Sequence, residues 1–289
     1  MQLLKGKPVA DTIADQIISK VDQLHAEDVQ PTLAILRVGQ NDSDVAYETS
    51  AVKKAESLGL QVKKFVLEED ISETELIDAL EHINQNEEIH GVLLFRPLPA
   101  HIDEERVRNY LVPQKDIDGI SDSSLAGIFT GEKTGFPPCT AEAVMKILQH
   151  YNITLSGKKV VVIGRSLVIG KPVAMMLLHE NATVTICHSR TGEEALKQYC
   201  RQADIIICAT GRAKMINADY VNGRQMIVDV GINFDEEGRM CGDADQESIE
   251  ASNGAAALTP VPGGVGNVTT ALLLYHVVEA AEMQRQKEK

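Results

Sequence analysis

Helix-like and strand-like patterns alternate along this chain, and that alternation limits its fold more than any other feature. Val9, Ile13, Ile17, Val21 and Leu24 recur at steps of three and four, which describes one apolar helix face over residues 8–24. Thr32–Val38 reads as a buried strand, followed by a helix that Asp42 or Ser43 caps and that Gly59 stops after about Leu58. Residues 60–67 are strand-like, Ser72-Glu73-Thr74-Glu75 is a capping box opening another helix, and residues 91–95 form a short apolar strand broken by Pro97 and Pro99. Strands and helices in this order pack as a parallel sheet covered by helices, so the fold class is α/β.

Residues 112–138 hold Pro113, Gly119, Gly127, Gly131, Gly135, Pro137 and Pro138 and read as a long loop, a length that is usually functional or linking. A helix over residues 140–150 follows. A second strand–helix series then begins. It comprises the strand Lys159–Ile163, a helix to about His179, a strand at 183–188, the helix Glu193–Gln202, and strands at 204–209 and 225–230. Residues 265–283 read as one terminal helix. A chain of 289 residues is long for one core and fits two domains.

Composition narrows the function. A formal net charge of −14 repels phosphate backbones and argues against nucleic-acid binding. The five cysteines show no CxxC or Cys/His metal spacing, so no metal site is expected and a reduced, cytoplasmic setting is. No secretory h-region follows Met1, and no apolar run is long enough to span a bilayer, so no membrane partner is expected.

Four stretches carry chemistry. Gly164-Arg165-Ser166 through Gly170 follows a buried strand and opens a helix, where a tight turn offers N–H groups and a dipole end to an anion. This is a dinucleotide pyrophosphate turn in a variant spacing, with Ser166 where the second glycine usually stands, or else a plain tight turn. At the end of the next strand, Cys187-His188-Ser189-Arg190-Thr191 holds no acid; Ser189, Arg190 and Arg165 suit a ribose 2′-phosphate, which favours NADP over NAD. Asp116 and Asp118, within Lys115-Asp116-Ile117-Asp118-Gly119, could bind a metal, act in acid–base work or grip a donor edge such as an aminopyrimidine; a solvated acidic turn is the plain alternative. Pro262, Gly263 and Gly264 lie in a run of turn formers that lets backbone approach a flat ligand, or that merely links domains. Tyr47 with Lys53 and Lys54 on the second helix can form a proton-transfer pair, or simply decorate its surface.

Together with Arg96-Pro97-Leu98-Pro99, Pro138-Cys139-Thr140, Gly170-Lys171-Pro172, Val228-Asp229-Val230-Gly231-Ile232-Asn233 and Thr259-Pro260-Val261-Pro262-Gly263-Gly264-Val265-Gly266, these stretches resemble the FolD family of methylenetetrahydrofolate dehydrogenase/cyclohydrolases. The resemblance runs over nearly the whole chain. It implies a catalytic domain over residues 1–137, a Rossmann-like NADP-binding domain over 138–261, and a segment 262–289 that packs back on the catalytic domain. It implies folate binding by Tyr47, Asp118, Pro262, Gly263 and Gly264. Cofactor binding falls to Gly164, Arg165, Ser166, Gly170, Ser189, Arg190, Ile232 and Thr270. It further implies tetrahydrofolate substrates and a homodimer.

The chain departs from the family pattern at several positions. The family carries Tyr-x-x-x-Lys on the second helix, with the lysine as the main cyclohydrolase group, and four residues after Tyr47 stands Ala51. The glutamine that partners that lysine is Phe95; Asn267 and Ala141 replace family prolines. Losing both members of a polar pair strands neither half. The expectation is therefore NADP-linked oxidation of methylenetetrahydrofolate with hydrolysis weakened or lost. The alternative is a bifunctional enzyme in which Lys54 serves as a relocated catalytic lysine. It lies about 4.5 Å further along the helix than Ala51 and leans back toward it.

Overall fold

The structure, a computed structural model, describes residues 1–287. In chain order its elements are β1 (Gln2–Leu3), α1 (Gly6–His25), β2 (Thr32–Val38), α2 (Asp42–Ser57), β3 (Gln61–Leu67), α3 (Glu73–Gln85), β4 (Gly91–Leu94), α4 (Glu104–Arg108), α5 (Asp122–Thr130) and α6 (Cys139–His150). There follow β5 (Lys159–Ile163), α7 (Gly170–His179), β6 (Thr183–Cys187), α8 (Glu193–Gln202), β7 (Ile205–Cys208), β8 (Met226–Asp229), β9 (Asn233–Phe234), β10 (Met240–Cys241), α9 (Gln246–Ala251), β11 (Ala257–Leu258) and α10 (Gly266–Lys287). The chain divides into two compact units, one of Thr12–Cys139 with the chain from Thr270 onward, the other of Met1–Asp11 with Thr140–Thr269.

In the first unit β2 lies between β3 and β4, parallel to both. Leu33, Ala34, Ile35 and Leu36 are all fully buried, which is why this strand shows no polar alternation: both of its faces are covered. On one face α3 sets Leu76, Leu80 and Ile83 against Ala34, Leu36, Val92 and Leu94, each burial contributing about 2 kcal/mol. The Ser72–Glu75 capping box forms as expected, each side chain taking the other's backbone N–H. On β4, a Cβ at Gly91 would lie 2.5 Å from Ile117 and 3.1 Å from Val277. Only glycine lets the 115–119 loop and α10 approach that strand so closely. Lys20 of α1 pairs with Glu282 of α10 at 2.5 Å, and Gln284 donates to the Glu87 carbonyl at 2.6 Å.

The second unit is a six-stranded parallel sheet ordered β1-β11-β8-β7-β5-β6. Counted from β5 the order is 2-1-3-4-5, a doubly wound arrangement, with β1 added at the edge. The order reverses between β5 and β7, and ligands of such sheets bind beyond the carboxyl ends of the strands at that reversal. Its core joins Val161, Ile163, Ile206, Cys208 and Ile227 with Leu196 and Cys200 of α8.

The structure amends the sequence reading in several places. The cap of α2 is Asn41, whose side chain accepts from Ser43 N, and not Asp42 or Ser43. Residues 112–138 are not all loop: Ser121 caps α5 within them, and Gly131 in the left-handed region ends it. Residues 1–11 lie with the second unit, because β1 pairs with β11 through Gln2↔Ala257 and Leu3↔Leu258. Two-residue strands such as β1, β9, β10 and β11 are too short for any periodicity to reveal.

Candidate active site

In the first unit the chemistry gathers where β2 and β4 end. Tyr47, in the second turn of α2, sets its ring edge-on to Phe95 with centroids 5.7 Å apart. Its side chain hydrogen-bonds Thr270 and lies within charge range of Asp118. Although 44% of the residue is exposed, desolvation of the phenol raises its pKa, with the Asp118 charge adding to the effect. The phenol is therefore a proton-holding donor at neutral pH.

The two carboxylates of the 115–119 loop have different surroundings. Asp116 is fully buried; its Oδ1 accepts from Ile120 N at 2.9 Å, and its Oδ2 from Ser121 N at 2.8 Å and Ser124 Oγ at 2.7 Å. That carboxylate is spent on holding the start of α5. Lys115 is likewise structural: its Nζ donates to the carbonyls of Ile83, Asn84 and Asn86 at 2.9, 2.8 and 2.7 Å, closing the end of α3. Burial brings its pKa down to about 8. Asp118 instead faces Tyr47, Arg96, Cys139 and His276. Burial pushes its carboxyl above the ordinary range, opposed by a hydrogen bond from Cys139 and by the Arg96 charge. His276 Nδ1 donates to the Ile117 carbonyl at 2.7 Å and stacks on Phe136 with centroids 4.8 Å apart, holding this loop from the α10 side.

Ala51 is 1% exposed and Phe95 8%, so the places of the family's lysine and glutamine are apolar and packed. Lys54 and Lys53 are exposed, and the Lys54 ammonium makes no hydrogen bond or ion pair among the described residues. Beside Tyr47 the structure adds a three-residue cluster that the sequence did not suggest: buried Glu48 accepts from Arg37 Nε at 2.9 Å and from Lys64 Nζ at 2.9 Å. Burial alone would raise the Glu48 carboxyl; those two cations hold it below its usual value. Its one trace in the sequence is Arg37, which interrupts an otherwise apolar strand.

In the second unit the glycine turn sits at the reversal between β5 and β7. Gly164 has φ +145°, and a Cβ there would lie 2.3 Å from the Ala209 carbonyl oxygen. One at Gly170 would lie 2.4 Å from the Gly164 carbonyl. Strand end and helix start are therefore in backbone contact, the close approach a diphosphate turn needs. Ser166 Oγ accepts from Ile169 N at 3.3 Å and no side chain caps α7; in its first turn Lys171 N donates to the Ser166 carbonyl at 3.0 Å and Pro172 has no N–H, which leaves the Gly170 N–H to face an anion there. Arg165, Ser166, Ser189 and Arg190 are exposed, and Arg190 N donates to His188 Nδ1 at 3.2 Å in the turn that follows β6, where residues 187–191 include no acid. Ile232 is 65% exposed. Gly263 has φ +106°, Pro262 is exposed and Gly264 is buried. Thr270, expected among the cofactor residues, is bonded to Tyr47 in the first unit. Among the described residues no group of three His, Cys, Asp or Glu is placed to hold a metal ion, and no helix is long and apolar enough to cross a membrane.

A three-stranded parallel unit bearing a tyrosine and a buried carboxylate, and a doubly wound unit with a glycine turn at its switch point, define an α/β enzyme with a dinucleotide-binding domain. The family pattern described as Tetrahydrofolate dehydrogenase/cyclohydrolase, catalytic domain, matches residues 4–118, and its NAD(P)-binding domain matches residues 138–285. The bifunctional protein FolD of Clostridioides difficile is 46% identical over 286 residues, 99% of this chain and 98% of that protein. The chain is also similar to the crystal structure of bifunctional FolD from Campylobacter jejuni, with TM-score 0.94 and 37% identity over 98% of this chain and 99% of that one. Trypanosoma brucei FolD, solved with NADP cofactor and inhibitor, has TM-score 0.89 and 28% identity over 98% of both chains. The chain belongs to the tetrahydrofolate dehydrogenase/cyclohydrolase family, FolD.

Proposed function

We propose that this protein oxidises 5,10-methylenetetrahydrofolate to the methenyl form with NADP, and that its hydrolysis of the methenyl product is weakened or lost. The observation that carries the second half is the buried Ala51 together with the Phe95 ring against Tyr47, where the family has a lysine and its glutamine. Hydride removal leaves a cation that the folate's own two nitrogens stabilise, so the protein's work there is positioning. Hydrolysis needs water activated and a proton delivered to the departing nitrogen, and an alanine and a phenylalanine offer neither.

Asp118 accepts from the donor edge of the aminopyrimidine, and Tyr47 packs beside it as donor; Pro262, Gly263 and Gly264 supply backbone to the flat ligand. Gly164, Ser166 and Gly170 would hold the cofactor diphosphate, and Arg165, Ser189 and Arg190 its 2′-phosphate, with Ile232 and Thr270 completing the set. Bound NADP supplies the hydride acceptor. The absence of an acid at residues 187–191 supports NADP over NAD. The protein works as a cytoplasmic homodimer, the habit of its family. A second reading, full bifunctionality through Lys54, is favoured by one observation: that ammonium is engaged by no other described side chain and shares a helix face with Tyr47. NADPH formation from methylenetetrahydrofolate, compared with NADH formation, tests the main reading; no reduced cofactor, or equal use of NAD, would overturn its corresponding part.

A further inference from the structure

Asp243 lies in the second unit between β10 and α9, and its side chain is fully buried. Its Oδ2 accepts from Thr210 N at 2.5 Å and from Gly211 N at 3.2 Å. Its Oδ1 accepts from Arg212 N at 3.1 Å and from Asn233 Nδ2 at 2.9 Å. One carboxylate therefore ties the segment that leaves β7 to the segment that leaves β8. The residue that carries it is itself fixed: Asp243 N donates to Asp229 Oδ1 at 3.1 Å, and the Asp243 carbonyl accepts from Ile216 N at 2.9 Å. The fit is close, since a Cβ at Gly231 would lie 2.3 Å from Asp243 Oδ1. Ile232 stands exposed between two anchored neighbours, with Gly231 N donating to Asp229 Oδ1 at 2.9 Å and the Asn233 side chain held by Asp243.

Strand order gives these two segments their importance. In space the strands run β6-β5-β7-β8, all parallel, and a dinucleotide lies across their carboxyl ends. On the cofactor reading above, Ser189 and Arg190 beyond β6 take the 2′-phosphate, and the Gly164 turn between β5 and β7 takes the diphosphate. The nicotinamide riboside then extends over the ends of β7 and β8, where residues 210–212 and 231–233 are clamped. We propose that Asp243 is a positioning residue of the cofactor site: its carboxylate locks the two segments that wall the nicotinamide half of the dinucleotide. This role rests on the dinucleotide reading of the second unit. Being fully buried, Asp243 acts through the backbone it holds and not by contact with the cofactor. An asparagine there is the same size but has one acceptor oxygen. Whichever way the amide turns, its NH2 meets two of the four N–H donors, so two bonds are lost and both segments are released from a common anchor.

The test titrates two probes into the full chain by calorimetry: NADP, and adenosine 2′,5′-bisphosphate, which carries the 2′-phosphate and one phosphate of the diphosphate but no nicotinamide half. Asp243→Asn should bind NADP about tenfold or more weakly and bind adenosine 2′,5′-bisphosphate as the parent does. Asn233→Ala, which deletes one of the four bonds, should show the same split at about severalfold, and it carries the test if Asp243→Asn does not fold. A general loosening of the domain would weaken both probes alike. The fragment losing as much affinity as NADP, or NADP binding unchanged in the folded variants, would overturn the role given to Asp243. A parent chain that binds neither probe would overturn the dinucleotide reading itself.

Discussion

Asp116→Asn and Asp118→Asn are the same substitution two residues apart, and the structure assigns them opposite consequences. Asp116 accepts three hydrogen bonds in a fully buried site, two from backbone N–H groups on one side and the other and one from Ser124 Oγ. An amide of the same shape can turn its oxygen toward Ser121 N or Ile120 N, but its NH2 then meets the other donor. At least one charge-assisted bond is lost, at about 1.5–3 kcal/mol, and a buried N–H is left unpaired. The total is about 3 kcal/mol, a large share of the stability of an ordinary domain. At Asp118, burial already disfavours the charge, so neutralising it should change stability by less than about 1 kcal/mol while folate affinity falls roughly 10- to 100-fold. Urea unfolding of both variants, with tetrahydrofolate titrated into each, reads the two effects separately. Asp116→Asn unfolding at the parent's midpoint, or Asp118→Asn proving the less stable of the two, would refute this division of roles.

Three further outcomes are expected. His90 is buried, its Nδ1 accepts from Thr32 N at 3.1 Å, and burial lowers its pKa to about 4. Folded His90 stays neutral while unfolded His90 titrates near the usual value, so stability present above about pH 6.5 declines by about 3 kcal/mol as pH falls toward 4; urea midpoints of the parent and His90→Gln across that range should converge, and parallel curves would contradict the assignment. Arg190→Ala should lower kcat/KM for NADP by about tenfold or more and leave NAD nearly untouched; an equal loss with both cofactors would remove Arg190 from the 2′-phosphate. The double change Ala51→Lys with Phe95→Gln should raise enzyme-dependent methenyltetrahydrofolate hydrolysis, measured by stopped flow against the uncatalysed rate, whereas Ala51→Lys alone places an ammonium in apolar packing and should mainly destabilise.

The long strands and helices were legible because their patterns repeat. The runs 33–36 and 160–163 are apolar without alternation, the mark of strands covered on both faces. The Gly164 turn was legible because strand, glycine and helix follow one another in sequence. Less legible were features made by distant partners. Asp116 and Asp118 look equivalent as text, and only Ile120, Ser121 and Ser124 on one side and Tyr47, Arg96 and Cys139 on the other tell them apart. Glu48 next to Tyr47 reads as a surface acid until Arg37 and Lys64 are seen to close on it. The helix α5 was hidden by its own glycines, Gly127 within it and Gly131 ending it. The place of Thr270 beside Tyr47 rests on a fold-back of the chain end that no local pattern encodes.

The most direct measurement follows reduced cofactor and methenyltetrahydrofolate together while the protein turns over methylenetetrahydrofolate and NADP. NADPH and methenyltetrahydrofolate should rise in step, and the methenyl form should then decay no faster than it does without protein. NADPH formation without methenyl accumulation would show an intact hydrolase and contradict the role given to Ala51 and Phe95; no NADPH at all would contradict the dehydrogenase.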